Sequence, residues 1–316
     1  MTISQATSGP ALGLVLPPAA PPDLLWPAVE AAEEGGFGSI WVTDRTLSDV
    51  PWLETLTYLG ALAARTSRVT IGTSVICLAR RNPVLVAHAL ASVQYLSGGR
   101  LVTGVGLGGL RPGEYELSGV PLSSRAPVTD EYIGLLRRLW SEETVDHAGE
   151  HFSCSGVQLS PRPETPIPIW VGGYSPGALA RAGRLGDGWL SVYAGPDAFS
   201  ASLAEVRRHA AEAGRDPDAL ATTAYVFTAI GRRAGEAEAV LGPALENIYG
   251  VGLEQMSDSC MYGTPDRWVD TIGRFGEAGA QNVNVLLFTT DLARDVGIVV
   301  DEVLPQLAGH RTTVDA

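Results

Sequence analysis

Residues 39–76 read SIWVTDRTLSDVPWLETLTYLGALAARTSRVTIGTSVI, and this stretch contains one full cycle of the alternation that decides the fold. SIWVT at 39–43 and VTIGTSVI at 69–76 are short, nearly continuous apolar and β-branched runs, the pattern of strands buried on both faces. Between them Trp52, Leu56, Leu59 and Ala63 recur at helical spacing, so the segment reads as an amphipathic helix lying against those strands. A strand, a helix and a second such strand make a parallel crossover unit.

Working outward, the same kind of run recurs at 11–16 (ALGLVL), 101–106 (LVTGVG), 167–173 (IPIWVGG), 188–193 (GWLSVY), 224–230 (AYVFTAI) and 283–288 (VNVLLF). Most are followed by helical periodicity. After the fourth run, Tyr132, Leu135, Leu136 and Leu139 share a face, with Asp130 and Glu131 near the helix start and Arg137 and Arg138 near its end, as the helix dipole prefers. Eight strand–helix units in 316 residues predict an α/β protein, a closed (β/α)8 TIM barrel rather than a doubly wound sheet, with residues 1–316 forming one domain. Two gaps are too long for a single helix. In 107–166, Gly149 can turn a hairpin between Val145 and Phe152, and the prolines from Pro161 to Pro168 stop further helix, so an insertion is expected between the fourth and fifth strands. The other gap, 231–282 between the seventh and eighth strands, includes the weakly periodic ENIYGVGLEQMSDSCMYG and reads as a candidate mobile lid.

Composition narrows the chemistry. All 22 basic residues are arginine, which excludes lysine Schiff-base chemistry and a Walker-type phosphate loop. A net charge of -13 without a basic run argues against nucleic acid as a partner. No stretch of 18 apolar residues and no positively charged leader stands out, so no membrane span is expected and the cytoplasm is the simplest location. Cys77, Cys154 and Cys260 are odd in number and form no CxxC, and the histidines lack metal-ligand spacing. No HExxH motif occurs.

The features that remain cluster at strand ends, which in a barrel of this kind form the catalytic rim. GVGLGG at 104–109 fits GxGxxG but follows the fourth strand and runs into Pro112, so its glycines read equally as a crowded strand end. In GGYSPGALARAGRLGDGW at 172–189, Gly172 and Gly173 end a strand and Ser175 can cap a helix starting at Pro176, either as a plain N-cap or as part of a backbone anion site. Asp44 and Glu114 follow the second and fourth strands and are candidate catalytic acids, with a turn or capping carboxylate and a solvated loop charge as the plain alternatives. Tyr174 and Tyr193 end the fifth and sixth strands, where rim packing is as good a reading as chemistry.

These residues, in this order, resemble the bacterial luciferase-like superfamily of flavin and deazaflavin oxidoreductases. The resemblance runs from LGLVLP at 12 to FTTD at 288–291. It is carried by GFGSIWVTD at 36–44, RVTIGTSV with RNP within 68–83, LSGGRLVTGVGLG at 96–108, TDEYIGLLRRLW at 129–140, PIWVGGYSPGALARAGRLGDGW at 168–189 and GTPDRWVDTI at 263–272. It implies a barrel binding coenzyme F420, or alternatively FMN, at its C-terminal rim, and a homodimer. Within the superfamily the chain looks most like the F420-dependent branch.

Residue by residue, the resemblance places Asp44 against the deazaflavin ring and implies a non-proline cis peptide between Ser74 and Val75 behind it. Gly106 and Gly108 match the fourth-strand glycines near the ring, and Gly172, Gly173, Tyr174 and Ser175 match the cradle of the cofactor phosphate. Arg80, Arg81 and Arg111, at the ends of strands three and four, are candidates for the acidic cofactor tail, or simply for solubility. Two positions depart from the F420-dependent dehydrogenases: Arg45 stands where a histidine is common, and Gly109 where some place a catalytic glutamate. The implied reaction is therefore hydride transfer between the deazaflavin and a small organic substrate, an imine or activated C=C, with the proton from solvent, Asp44 or Glu114. The alternatives are an FMN-dependent monooxygenase and a cofactor-binding barrel without turnover.

Overall fold

The computed structural model describes residues 9–108 and 113–309. Its strands are β1 (Ala11–Val15), β2 (Ser39–Val42), β3 (Thr70–Thr73), β4 (Leu101–Val105), β5 (Val145–Ala148), β6 (Ser153–Val157), β7 (Ile169–Gly172), β8 (Gly188–Ser191), β9 (Ala221–Ile230), β10 (Cys260–Gly263) and β11 (Asn282–Leu287). The main sheet runs β1-β2-β3-β4-β7-β8-β9-β11, all parallel, and returns to β1 through Ala11↔Asn282 to Val15↔Leu286, which closes an eight-stranded TIM barrel. Helices α1 (Pro22–Gly35), α2 (Thr55–Arg65), α3 (Pro83–Leu96), α4 (Gly113–Ser118), α5 (Arg125–Ser141), α6 (Pro176–Leu185), α7 (Pro196–Glu212) and α8 (Glu236–Tyr249) alternate with the strands. They are followed by α9 (Leu253–Met256), α10 (Pro265–Glu277), α11 (Leu292–Ile298) and, after a π-helical turn, α12 (Leu304–Gly309).

Each helix buries the stripe that its periodicity requires. In α2 this is Thr55, Tyr58, Leu59, Leu62 and Ala63. In α5, Tyr132, Leu135, Leu136 and Leu139 are buried as their spacing predicts, but the helix starts at Arg125, so Asp130 and Glu131 lie beyond its first turn. The inner faces of the strands fill the lumen with Val15, Trp41, Val102, Trp170 and Leu190, capped by Val75, Tyr225 and Leu286. Trp41 and Trp170 pack with ring centroids 5.3 Å apart, and Trp41 Nε1 donates to Ser39 Oγ at 2.7 Å. The lumen is therefore a packed plug with a mouth at the strands' C-terminal ends.

The first long gap does contain the expected hairpin: β5 and β6 pair antiparallel with each other and with no strand of the barrel. The second departs from the expectation of a lid. It folds as α8, α9, β10 and α10, and β10 pairs parallel with the C-terminal half of β9, Cys260↔Phe227 through Gly263↔Ile230. Because β9 is ten residues long, it extends past its neighbours and offers that half to an additional strand. Among the described residues no helix is long and apolar enough to cross a membrane.

Candidate active site at the barrel rim

β2 ends at Val42, and Asp44 lies two residues beyond it in the rim loop. Its carboxylate is almost wholly enclosed, with a side-chain exposure of 1%. Arg81 donates from Nη2 to Oδ1 and from Nη1 to Oδ2, both at 2.7 Å, a bidentate pair. Arg80 Nη2 and the Cys77 amide also donate to Oδ2, at 2.7 and 2.9 Å, and Thr55 Oγ1 donates to Oδ1 at 2.9 Å. Burial alone would raise this carboxyl's pKa, but the Arg81 hydrogen bonds and the charges of both arginines outweigh it and hold the pKa below the ordinary value. Asp44 is thus a fixed anion whose lone pairs are spent.

Glu114, the second candidate acid, sits on α4 and is committed in the same way. Its Oε1 accepts the Thr46 and Leu47 amides at 2.5 and 3.1 Å, and its Oε2 pairs with Arg80 Nη1. Arg80 lies between the two carboxylates, nearly buried, so the guanidinium expected at the cofactor tail is turned inward and ties the loops after β2, β3 and β4 together. Its Nε has no partner among the described residues. Arg81 is likewise held by Asp44 and by Glu54, 3.6 Å away. Cys77 beside them is no thiolate, since burial pushes its pKa up to about 12. Arg111 and Gly109 lie outside the described residues.

The peptide bond between Ser74 and Val75 is cis, as the resemblance implies, and Val75 then lies across the mouth of the lumen. A Cβ added at Gly106 would sit 2.3 Å from Val75 Cγ2, and one at Gly172 would sit 2.7 Å from Val75 Cγ1. Both glycines are thus required by the Val75 shelf that they flank. Gly108, with φ +62, closes on Cys77 Sγ. The Ile76↔Val105 bridge resumes the pairing of the third and fourth strands beyond the shelf.

On the far side of the shelf, β7 ends at Gly172, Gly173 follows it, and Ser175 caps α6 by accepting from Ala178 N at 3.3 Å. The Ser175 hydroxyl therefore does the work of a plain cap. The backbone amides of Ser175 and Gly177, at the exposed start of the helix, take no acceptor among the described residues and remain open to an anion. Tyr174 is exposed and meets the edge of Tyr193 at 5.7 Å.

Tyr193, Tyr225, Tyr249, Phe227, Phe288 and Arg45 gather at the same mouth; of these the sequence singles out only Tyr193, as a strand end, and Arg45, as a departure from the F420-dependent pattern. Tyr249 belongs to the segment that resembled a lid, and Tyr225 and Phe227 look like ordinary strand residues until the barrel brings them together. The one local signal is the aromatic ending of strand six, in SVYAGP.

A closed parallel barrel with a cis-peptide shelf over its lumen, glycines on either side and an open helix start beyond is a candidate cofactor site at a TIM-barrel rim. The family profile described as luciferase-like monooxygenase matches residues 13–257, and the chain belongs to that family. It is 35% identical over 192 residues to an F420-dependent glucose-6-phosphate dehydrogenase of Kineococcus radiotolerans, covering 58% of this chain and 56% of that protein. An F420-dependent glucose-6-phosphate dehydrogenase of Amycolatopsis mediterranei is 35% identical over 204 residues, covering 61% and 60%. The match thus spans less than two thirds of these relatives' length. Among solved structures, an F420-dependent secondary alcohol dehydrogenase in complex with an F420-acetone adduct superposes with a TM-score of 0.85 at 23% identity, over 95% of this chain and 99% of that one. The FMN-bound oxygenating constituent of 3,6-diketocamphane monooxygenase from Pseudomonas putida gives 0.78 at 16% identity, over 94% and 98%. These likenesses show the shared barrel.

Proposed function

We propose that the chain is an oxidoreductase that binds coenzyme F420 at the rim and exchanges a hydride between it and a small organic substrate, an imine or an activated C=C. The observation that carries this reading is the Val75 shelf, which leaves no room for a side chain at Gly106 or Gly172 and so presents a flat apolar seat for a ring system. The F420-dependent relatives support the choice of deazaflavin. The residues present fit such a group. Ser74, Val75, Gly106 and Gly108 surround the seat for the ring, and Gly172, Gly173, Tyr174 and Ser175 border the open amides, which suit a phosphate.

When bound, the deazaflavin supplies the two-electron chemistry, and the protein supplies orientation and exclusion of water. Asp44, Arg80 and Glu114 act as positioning residues that hold three rim loops in register. With both carboxylates paired to arginine, the proton comes from solvent. Titration with F420 and with FMN, followed by cofactor fluorescence, tests the reading: F420 should bind at micromolar concentrations or tighter. Tight FMN binding without F420 affinity would assign the chain to the flavin monooxygenases, and binding of neither would end the proposal.

The reading extends to one domain over residues 1–316, acting in the cytoplasm as a homodimer. Leu85, Tyr95 and Leu96 of α3 are exposed on the barrel wall, a surface that a second copy would cover. Light scattering should give twice the 33.2 kDa chain mass.

A further inference from the structure

Five of the rim residues form a continuous aromatic wall. Tyr193 packs on Phe227 at 5.4 Å and on the edge of Tyr249 at 6.1 Å, Phe227 meets Tyr249 at 5.4 Å and Phe288 at 6.0 Å, and Tyr225 meets Phe227 at 5.9 Å. Tyr225 also packs against the lumen plug that includes Val75, so the wall begins at the shelf and rises from it. Tyr193 has φ 58 and is the one non-glycine residue with positive φ among the described residues. An aromatic residue is unfavourable in that region, and such conformations persist where the surroundings impose them, typically at functional sites. This one leaves the Tyr193 ring half-exposed at the mouth instead of folding it into the barrel wall.

Across the mouth, from the loop after β2, comes Arg45. Its guanidinium stacks on the Trp52 ring at 4.7 Å, and its charge is felt by the phenols of both Tyr193 and Tyr249. It has no ion pair among the described residues, in contrast to Arg80 and Arg81 behind it. Among the described residues the site thus offers ring faces, phenol hydroxyls and one guanidinium that is not held in an ion pair. A sugar phosphate makes different demands, namely side chains that pair with several hydroxyls and more than one cation for a dianion, and the chain has no lysine to supply them.

We propose that this aromatic wall and Arg45 form the substrate site, and that it takes a ring-bearing organic molecule carrying one carboxylate rather than a phosphorylated sugar. The assignment rests on the cofactor occupying the Val75 shelf. The ring of the substrate lies against Tyr193 and Phe288, and its carboxylate pairs with Arg45 in the fork geometry that guanidinium provides.

The test uses the full chain and two probes, 3-benzoylpropionate and the neutral aryl ketone acetophenone, with binding read by saturation-transfer NMR and calorimetry in the presence and absence of oxidised F420, which has no hydride to give them. Arg45→Gln should weaken 3-benzoylpropionate at least tenfold while leaving acetophenone within twofold. Tyr193→Gly, which accepts the positive φ and so keeps the fold, should weaken both at least fivefold. Neither change should move F420 affinity more than twofold, and glucose 6-phosphate should not displace either probe. The proposal is overturned if 3-benzoylpropionate does not bind, if Arg45→Gln affects both probes alike, or if glucose 6-phosphate competes. Failure of F420 to bind, with probe binding and its Arg45 dependence intact, would instead remove the cofactor reading and leave the site standing.

Discussion

Gly106 shows how one missing carbon shapes the rim. The Cβ of an alanine there would sit 2.3 Å from Val75 Cγ2, so either Val75 or the end of β4 must shift. Overpacking of this kind typically costs about 1–3 kcal/mol, and Gly106→Ala should lower the denaturant midpoint accordingly while reducing cofactor affinity by more than the stability change explains. Undiminished F420 binding in the folded protein would separate the shelf from the cofactor. Asp44 makes the complementary case with charge. Asp44→Asn keeps the shape but leaves Arg81 and part of Arg80 buried without their anion. Removing one partner of a buried pair costs up to about 3–5 kcal/mol, so chemical denaturation should show a large loss of stability, with no change in the pH profile of turnover. A profile that lost its alkaline limb would identify Asp44 as a titrating proton donor after all.

Among the elements, α1 is fastened to the start of β3 by one carboxylate. Glu33 accepts the amides of Ser67, Arg68 and Val69 at 2.9, 2.7 and 3.0 Å. Its partial burial would raise its pKa, but these amide hydrogen bonds outweigh that and hold it below the ordinary glutamate value. A carboxyl with a lowered folded pKa contributes stability that is complete above its unfolded value and is lost as pH falls through the folded one. Glu33→Gln should therefore be less stable than the parent at pH 7 and converge with it toward pH 3, as urea melts across that range would show. A constant difference at all pH values would mean that the charge is irrelevant. The amphipathic α10 depends on burial instead. Trp268, Ile272 and Phe275 are fully buried or nearly so, and the Trp268 indole donates to the Ala229 carbonyl at 3.2 Å. Trp268→Ala should cost about 3–5 kcal/mol by thermal or chemical denaturation. The same residues give GTPDRWVDTI at 263–272 a helical signature in the sequence itself, because an apolar stripe at helical spacing survives any context. β10 was not readable, because the four residues of CMYG carry no period and become a strand only where the long β9 supplies a partner.

At the scale of the whole molecule, the barrel and its hairpin should differ in stability. Each barrel strand bonds to neighbours on two sides, whereas β5 and β6 pair only with each other and are held to the body by contacts such as Tyr132 with Phe152 and Glu131 with the Phe152 amide. Native-state hydrogen exchange should release the β5–β6 amides well before those of β4 and β7. Equal protection would show that the hairpin is part of the cooperative core.

The sequence by itself determined the barrel, its strand positions, the hairpin insertion and the glycine-rich strand ends. Strand and helix periods are local properties, and closure follows once eight parallel units must bury both faces. It also singled out Asp44, Glu114 and Ser175 as rim residues, because strand ends are visible in the chain. What those residues do locally was decided only by the tertiary structure. Asp44 and Glu114 are neutralised by arginines 34 to 37 positions away in sequence, and the mouth is walled by aromatic residues from β9, α8 and the segments just after β8 and β11, faced by an arginine from the loop after β2. A side chain's charge state and neighbours depend on which strand ends meet around a closed ring, and that adjacency is not a local property of the chain.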